Sequence, residues 1–543
     1  MRNRLTAVPF TKANFSLLVR SLVEPYGPVK RGDEGTVDGP DVSAAQAERQ
    51  EHRQLVYLAN YLADGGGLDC GWMLLENHYI DHEYMDAFAA YYSRCLKPYP
   101  NFCQRIHFFD RKTNESLLSG LMQKLTPGAA KESVEQLPDL ASLRKSYLGF
   151  TVVRPHNQTF IGLTVLKPLD ADANRCFCCT RVYSVNLMGM DFSLKGLAFQ
   201  QQDGAVSACA ATALWSAFHK TAFEARFRIP SPAEITNSAT RFNVSGGRSF
   251  PSAGLSTTQI CDAIRATDLE PELLTVADTP EICRATLHAY LSSGMPVVAL
   301  MKWEKGNELH GLHAVTVVGY RNPGTASPDA PAYRLDGKNL AGLSIELRGS
   351  RIPECYVHDD RTGPYTRLFF DDTPFVNKER KELHLSRVVL DYRWGKRPRT
   401  EHAVIDKLII PVYPKLRLKF QKVLDWSART FDQLVKAVPE LFDPPGLQLD
   451  VSFQLARSYK NDFALFDLPA ADRATFLYSV SFPRYVGVAR LLRQDVALLD
   501  LLFDMTESEL GFPVLAMVAR DKSVVKRVPE LRDKELFLFP LFP

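Results

Sequence analysis

The sequence predicts an α+β, multidomain protein, and three observations carry that expectation. Its 543 residues exceed the roughly 100 to 200 that one domain usually holds, so about three or four compact units are expected. Hydrophobic residues make up 45% and charged residues 23%, the proportions of a chain that can build substantial cores, which disfavours a disordered or fibrous protein. Helix-forming stretches closed by glycine or proline alternate with β-branched and aromatic runs.

Taken in order, residues 28 to 45 are polar and turn-rich, with Gly39-Pro40 near their end, and read as an exposed loop. The stretch from Ala44 to Leu62 is rich in Ala, Gln, Glu and Leu and stops at Gly65-Gly66-Gly67. Asn114 to Leu125 is closed by Pro127-Gly128, so residues 1–146 are predicted as a mainly helical N-terminal region. A small β region, 147–197, follows: Tyr147–Val153 and Phe160–Leu166 suit paired antiparallel strands. In a third unit, 198–375, Ser256 with Gln259 forms a capping-box pattern, and Thr279-Pro280 opens a helix that Gly294 stops. Strands are expected at Val297–Met301, His313–Tyr320 and Tyr356–His358. The fourth unit, 376–543, contains no cysteine and reads as an α/β or α+β domain, with strands at Leu416–Phe420 and Tyr485–Ala489 and a helix at Val496–Phe503.

The chemistry-bearing segment is Gln200-Gln201-Gln202-Asp203-Gly204, which leads through Ser207 to Cys209 and an Ala-rich apolar run ending near Phe218. Gly204 suits a turn and Ser207 an N-cap, which places the Cys209 thiol in the first turn of a buried helix. Peptide dipoles and unpaired N–H groups there favour the thiolate, the nucleophilic form. An upstream glutamine amide, with the Cys209 N–H, would stabilise a developing oxyanion, a contribution of roughly 3 to 4 kcal/mol where one such donor has been removed. A thiolate needs a base, and His313 opens the run Ala314-Val315-Thr316-Val317-Val318, projecting from a rigid strand; His310 sits on the approach loop, where ring geometry is held less tightly. Downstream, either Asp359 or Asp360 would accept the second imidazole N–H and choose the tautomer.

This order, glutamine then cysteine on a helix, histidine on a strand and aspartate at a later strand's end, resembles the papain-like cysteine peptidases. It is most similar to their bacterial branch of bacteriocin-processing, double-glycine-cleaving enzymes, over residues 198–375. The resemblance implies a papain-like fold, with Cys209 as nucleophile, His313 as general base, Asp359 as orienting residue and Gln202 as oxyanion donor. Three departures stand beside it: Asp360 replaces the proline that usually follows the aspartate, Asp203 occupies the usual glutamine position, and Ala210 follows the cysteine where glycine is familiar. The implied activity is hydrolysis of a peptide or isopeptide bond in a protein or peptide substrate, with no metal or organic cofactor. Deamidation or transglutamination would use the same triad, and a catalytically inactive scaffold would keep the fold without the reaction. A regulatory partner would act through the flanking N- or C-terminal domain.

Other features point to bland roles. Lys+Arg 65 against Asp+Glu 62 gives a net charge of +3, too near balance for a nucleic-acid binder, and the basic run Arg393–Arg399 and the alternating Lys415, Arg417 and Lys419 read as solvated surface. No apolar stretch reaches the roughly 18 residues of a membrane span and no secretory leader opens the chain, so a cytoplasmic location with no membrane contact is expected. The ten cysteines are dispersed, and Cys176-Phe177-Cys178-Cys179 lacks a second pair at zinc-site spacing. His78 and His82 would share a metal only on one helix. The terminal Leu536–Pro543 tail is expected to pack on a domain or a partner.

Overall fold

The computed structural model describes residues 5–26, 53–113, 118, 140–169, 172–241, 249–323, 334–336, 344–392, 400–439, 446–465, 470–506, 512–528 and 540–542. Helices and strands are mixed throughout, and the α+β expectation holds. Among the described residues no helix is long and apolar enough to cross a membrane.

The first sheet is a five-stranded antiparallel meander, Leu5–Pro9, Cys70–Tyr79, Cys103–Asp110, Tyr147–Val153 and Ile161–Leu166. The expected pairing of Tyr147–Val153 with the run after the turn is present. Among the described residues the region before residue 147 supplies three of these strands beside its helices, and the expected boundary at 146 falls inside the sheet. Cys103–Asp110 is a run of β-formers whose neighbours cover Ile106, Phe108 and Phe109 completely or nearly so. Residues 53–62 form a helix, in line with the Ala44–Leu62 reading, whereas the loop of 28–45 and almost all of Asn114–Leu125 lie outside the described residues. His78 lies near the end of the strand Cys70–Tyr79, stacked on Phe102, while His82 starts a helix, so they do not share a helix face.

The central sheet closes on itself. Val297–Lys305 pairs on one side with Glu308–Arg321 and on the other with Thr400–Val412; Glu354–Asp359, Gly363–Asp371 and Arg387–Asp391 complete the ring. Closure removes the exposed edges that an open sheet would leave. It also moves the expected boundary at 375, since Arg387–Asp391 and Thr400–Val412 belong to this barrel. The capping box at Ser256 forms as read, and Pro280–Ser292 follows Thr279.

The C-terminal sheet has seven strands, and two of them, Arg334–Asp336 and Ser344–Leu347, come from within the central unit. Two local readings fail here. Val496–Phe503 is a strand, paired along its length with Tyr485–Arg493 through a turn at Gln494 and Asp495, both at positive φ. Leu416–Phe420 is no strand but the entry to the helix Phe420–Ala437, so Lys415, Arg417 and Lys419 share no strand face. The run Arg393–Arg399 lies outside the described residues. At the tail, Leu541–Phe542 pairs with Val514–Ala519 and Phe542 packs on Phe476.

Candidate active site

Cys209 is the first residue of the helix Cys209–Phe218, and every residue from Ala210 to Phe218 is buried. An all-round apolar helix of this kind is a core element, so its position is fixed by the walls around it. One wall is the strand that carries His313: the Thr316 hydroxyl donates to the Ala213 carbonyl at 2.6 Å. The expected N-cap is corrected. Ala208 occupies that position without a side-chain cap, while Ser207 Oγ accepts from Thr212 Oγ1 at 3.4 Å inside the fold. Asp203 organises the loop instead, one carboxylate oxygen accepting the N–H groups of Ala205, Val206 and Ser207 at 2.9, 2.7 and 3.0 Å.

The His313 ring, 4% exposed, has Asp359 and Cys209 as neighbours. Its Nε2 meets Asp359 Oδ1 at 2.8 Å, and the Cys209 side chain is near enough to raise the pKa of the ring. Asp359 is itself fixed: it accepts the Arg361 N–H on Oδ1 at 3.1 Å and the Thr362 hydroxyl on Oδ2 at 2.8 Å. Burial disfavours the imidazolium, yet the charge and hydrogen bond of Asp359 outweigh it, with Cys209 and Asp360 adding to the effect, and His313 is pushed up to about 10. Burial would raise Asp359, but the adjacent imidazolium holds it well below the usual carboxylate range. The choice between the two aspartates is therefore geometric. Asp360 Oδ1 stands 3.6 Å from the same nitrogen, neither of its oxygens has a hydrogen-bond partner, and burial raises its pKa above the ordinary value.

Cys209, His313 and Asp359 are thus brought together, and Gln202 does not line the recess beside Cys209. The recess beside Cys209 is walled by Gln200, Thr212, Ala314, His358 and Asp360. Gln200 is 3% exposed and its Nε2 has no partner. Gln201 is consumed structurally, its Nε2 donating to Gln54 Oε1 at 2.9 Å and its Oε1 accepting the Ile161 N–H at 3.2 Å. Among three consecutive glutamines, Gln200 alone combines an unused amide with a place beside the thiol. Spacing could not single it out, because the loop before Cys209 is anchored through Asp203 and not counted along an extended chain.

Further positioning residues have no local sequence signal. The helix at 53–62 reaches both active-site loops: Gln54 Nε2 donates to the Asp360 carbonyl at 2.5 Å, and the Tyr57 hydroxyl donates to the Pro364 carbonyl at 2.8 Å. Trp303 lies 5.5 Å, ring to ring, from His313, and the Arg361 guanidinium lies over the Trp303 ring at 4.7 Å from its centroid. Trp303 also borders an open cavity of about 660 Å³ whose walls include His310, Arg361, Glu401 and His402. That volume suits a small ligand or a peptide side chain beside the imidazole.

His313, Asp359 and Asp360 place ligand atoms within 4.8 Å of one another, close enough for a metal ion. His313 Nε2 already bonds Asp359, however, so a cation shared with that carboxylate there would have to displace this bond. No protein-family model matches the chain, and no curated protein matches it significantly in sequence.

Proposed function

We propose that the protein is a thiol hydrolase, a cysteine peptidase or isopeptidase of papain-like fold, acting on a protein or peptide. The observation that carries the reading is the single imidazole that has as neighbours the Cys209 thiol and a buried, fully hydrogen-bonded Asp359. A cysteine at the start of a core helix facing a histidine on a barrel wall supports the papain-like assignment.

In this mechanism Cys209 and His313 form a thiolate–imidazolium pair, the thiol proton already resting on the ring, and the thiolate sulfur bonds to the carbonyl carbon of the substrate. The Cys209 N–H, with Gln200 Nε2 rather than Gln202, receives the developing oxyanion. The C–N bond breaks as His313 returns the proton to the amine, leaving a thioester. His313 then deprotonates water, which attacks the thioester and releases the acid and the thiol. Asp359 holds the ring in one tautomer and stabilises its charged form throughout.

A cysteine-directed activity probe, applied to the full chain and mapped by mass spectrometry, tests the proposal. Modification is expected at Cys209, and it should vanish in Cys209→Ala and fall sharply in His313→Ala. Labelling spread over other cysteines to the same extent in all three proteins would instead favour an inactive scaffold.

A further inference from the structure

A second large cavity, about 770 Å³, shares no wall with the candidate active site or the cleft beside Trp303. It lies at the seam between the central and C-terminal units. Lys220, Glu224 and Arg226 enter from just beyond the helix that starts at Cys209, Arg457 and Ser458 from the helix Ala456–Ala464, and Arg484 from the residue before the strand Tyr485–Arg493.

The charge balance of this cavity is one-sided. Four cationic side chains face one carboxylate, Glu224, whose oxygens are already engaged by Lys220 Nζ at 2.6 Å and the Tyr413 hydroxyl at 2.9 Å. Among the described residues no carboxylate pairs with Arg226, Arg457 or Arg484. Three guanidinium groups from two units therefore border one concavity with their charge uncompensated, and guanidinium is the side chain best matched to phosphoryl oxygens. The helix Ala456–Ala464 starts at the cavity with no side-chain cap, its first N–H being taken by the Arg484 carbonyl.

We propose that this cavity is a binding site for a small, soluble polyphosphate, an anion with two or more linked phosphoryl groups. A single phosphate would leave most of the volume empty, whereas linked phosphoryl groups fill more of it and offer oxygens to several arginines at once. The recessed shape selects a small molecule over an extended polymer. Binding would tie the C-terminal sheet to the segment that follows the Cys209 helix.

Inorganic tripolyphosphate titrated calorimetrically into the full chain provides the test. Saturable binding at one site is expected, weakened by roughly tenfold or more in R457A/R484A and unchanged in K378A/R380A, which removes two exposed cations elsewhere. Equal binding by the two double variants, or no saturable binding by the wild type, would overturn the proposal. A readout on the wild-type chain covers the case of a variant that does not fold. Cys178 is exposed and borders the cavity, so saturating tripolyphosphate should slow its alkylation severalfold while leaving Cys95 unaffected; an unchanged Cys178 rate overturns the site. Phosphatidylcholine vesicles with and without phosphatidylinositol bisphosphate distinguish the source, since co-sedimentation of the chain without tripolyphosphate binding would point to a lipid headgroup and against a soluble ligand.

Discussion

His313 is charged in a place where burial opposes charge, and the two aspartates behind it divide the work unequally. Asp359 carries the negative charge, with hydrogen bonds to both oxygens, whereas burial beside that charge raises Asp360 toward its neutral form. Asp359→Asn should therefore cut the alkylation rate of Cys209 at neutral pH by roughly tenfold or more, because the imidazolium loses its counter-charge and its tautomer is no longer chosen. Asp360→Asn, nearly isosteric with the protonated acid, should change the rate by less than about threefold. Iodoacetamide kinetics across pH would check both, and in His313→Ala the profile should retreat to that of an ordinary thiol, near ~8.5. Gln200→Ala separates ground state from transition state. Cleavage of a peptide library is expected to fall roughly 10²- to 10³-fold while Cys209 alkylation is unchanged, and Gln202→Ala should alter neither. Equal losses in the two glutamine variants would remove the oxyanion role from Gln200. The local positions of Cys209 and Asp359 were legible because one opens a helix and the other ends a strand, whereas His313, expected to open its strand, lies within Glu308–Arg321. Gln200 was not legible, since its role depends on a loop folded around Asp203.

At the scale of elements, the helix at 53–62 is a clamp on loops more than a hundred residues away in the chain. Tyr57 is fully buried, and a Cβ added at Gly363 would stand 2.2 Å from the Tyr57 ring. Gly363→Ala must therefore displace either the ring or the turn after Asp359, and a loss of about 1–3 kcal/mol is expected by denaturant unfolding. Tyr57→Ala should cost about 3–5 kcal/mol through the cavity it leaves. The double variant should lose less than the sum, because the truncated side chain no longer meets the new methyl; strict additivity would mean that the two residues are not in contact. Elements with explicit punctuation were read well from sequence, the capping box at Ser256 among them. Val496–Phe503 was misread because Leu and Ala favour a helix locally, while pairing on both sides with Tyr485–Arg493 and Val514–Ala519 favours the strand. Leu416–Phe420 was misread for the opposite reason, an alternating pattern that no neighbouring strand accepts.

Across the whole molecule, unit boundaries were the least legible feature, because composition shifts mark local change whereas sheets are assembled from distant segments. The barrel needs Thr400–Val412 to close, and the C-terminal sheet borrows Ser344–Leu347 from the central unit. Such interleaving packs most of the described hydrophobic residues into one continuous core, so titration of buried groups anywhere should be felt as global stability. On the acid side, His107, His156 and His358 are held neutral by burial and lowered to about 4, 3 and 3. An unfolded chain protonates these rings near 6.5, so their contribution is present above that pH and is lost progressively as pH falls toward 3. On the alkaline side the signs reverse. Glu83, raised to about 8 chiefly by burial, and His313, raised to about 10, bind protons that the unfolded chain has already released. Their contributions are complete below their unfolded values, near 4.3 and 6.5, and disappear as pH rises through about 8 and about 10. Melting temperature should accordingly fall on both sides of neutrality. Glu83→Gln, which keeps an uncharged side chain of similar shape, should flatten the fall between pH 6 and 8 while leaving the acid limb in place. A variant profile superimposable on the wild type through that window would mean that Glu83 ionises without cost, and that the alkaline limb has another source.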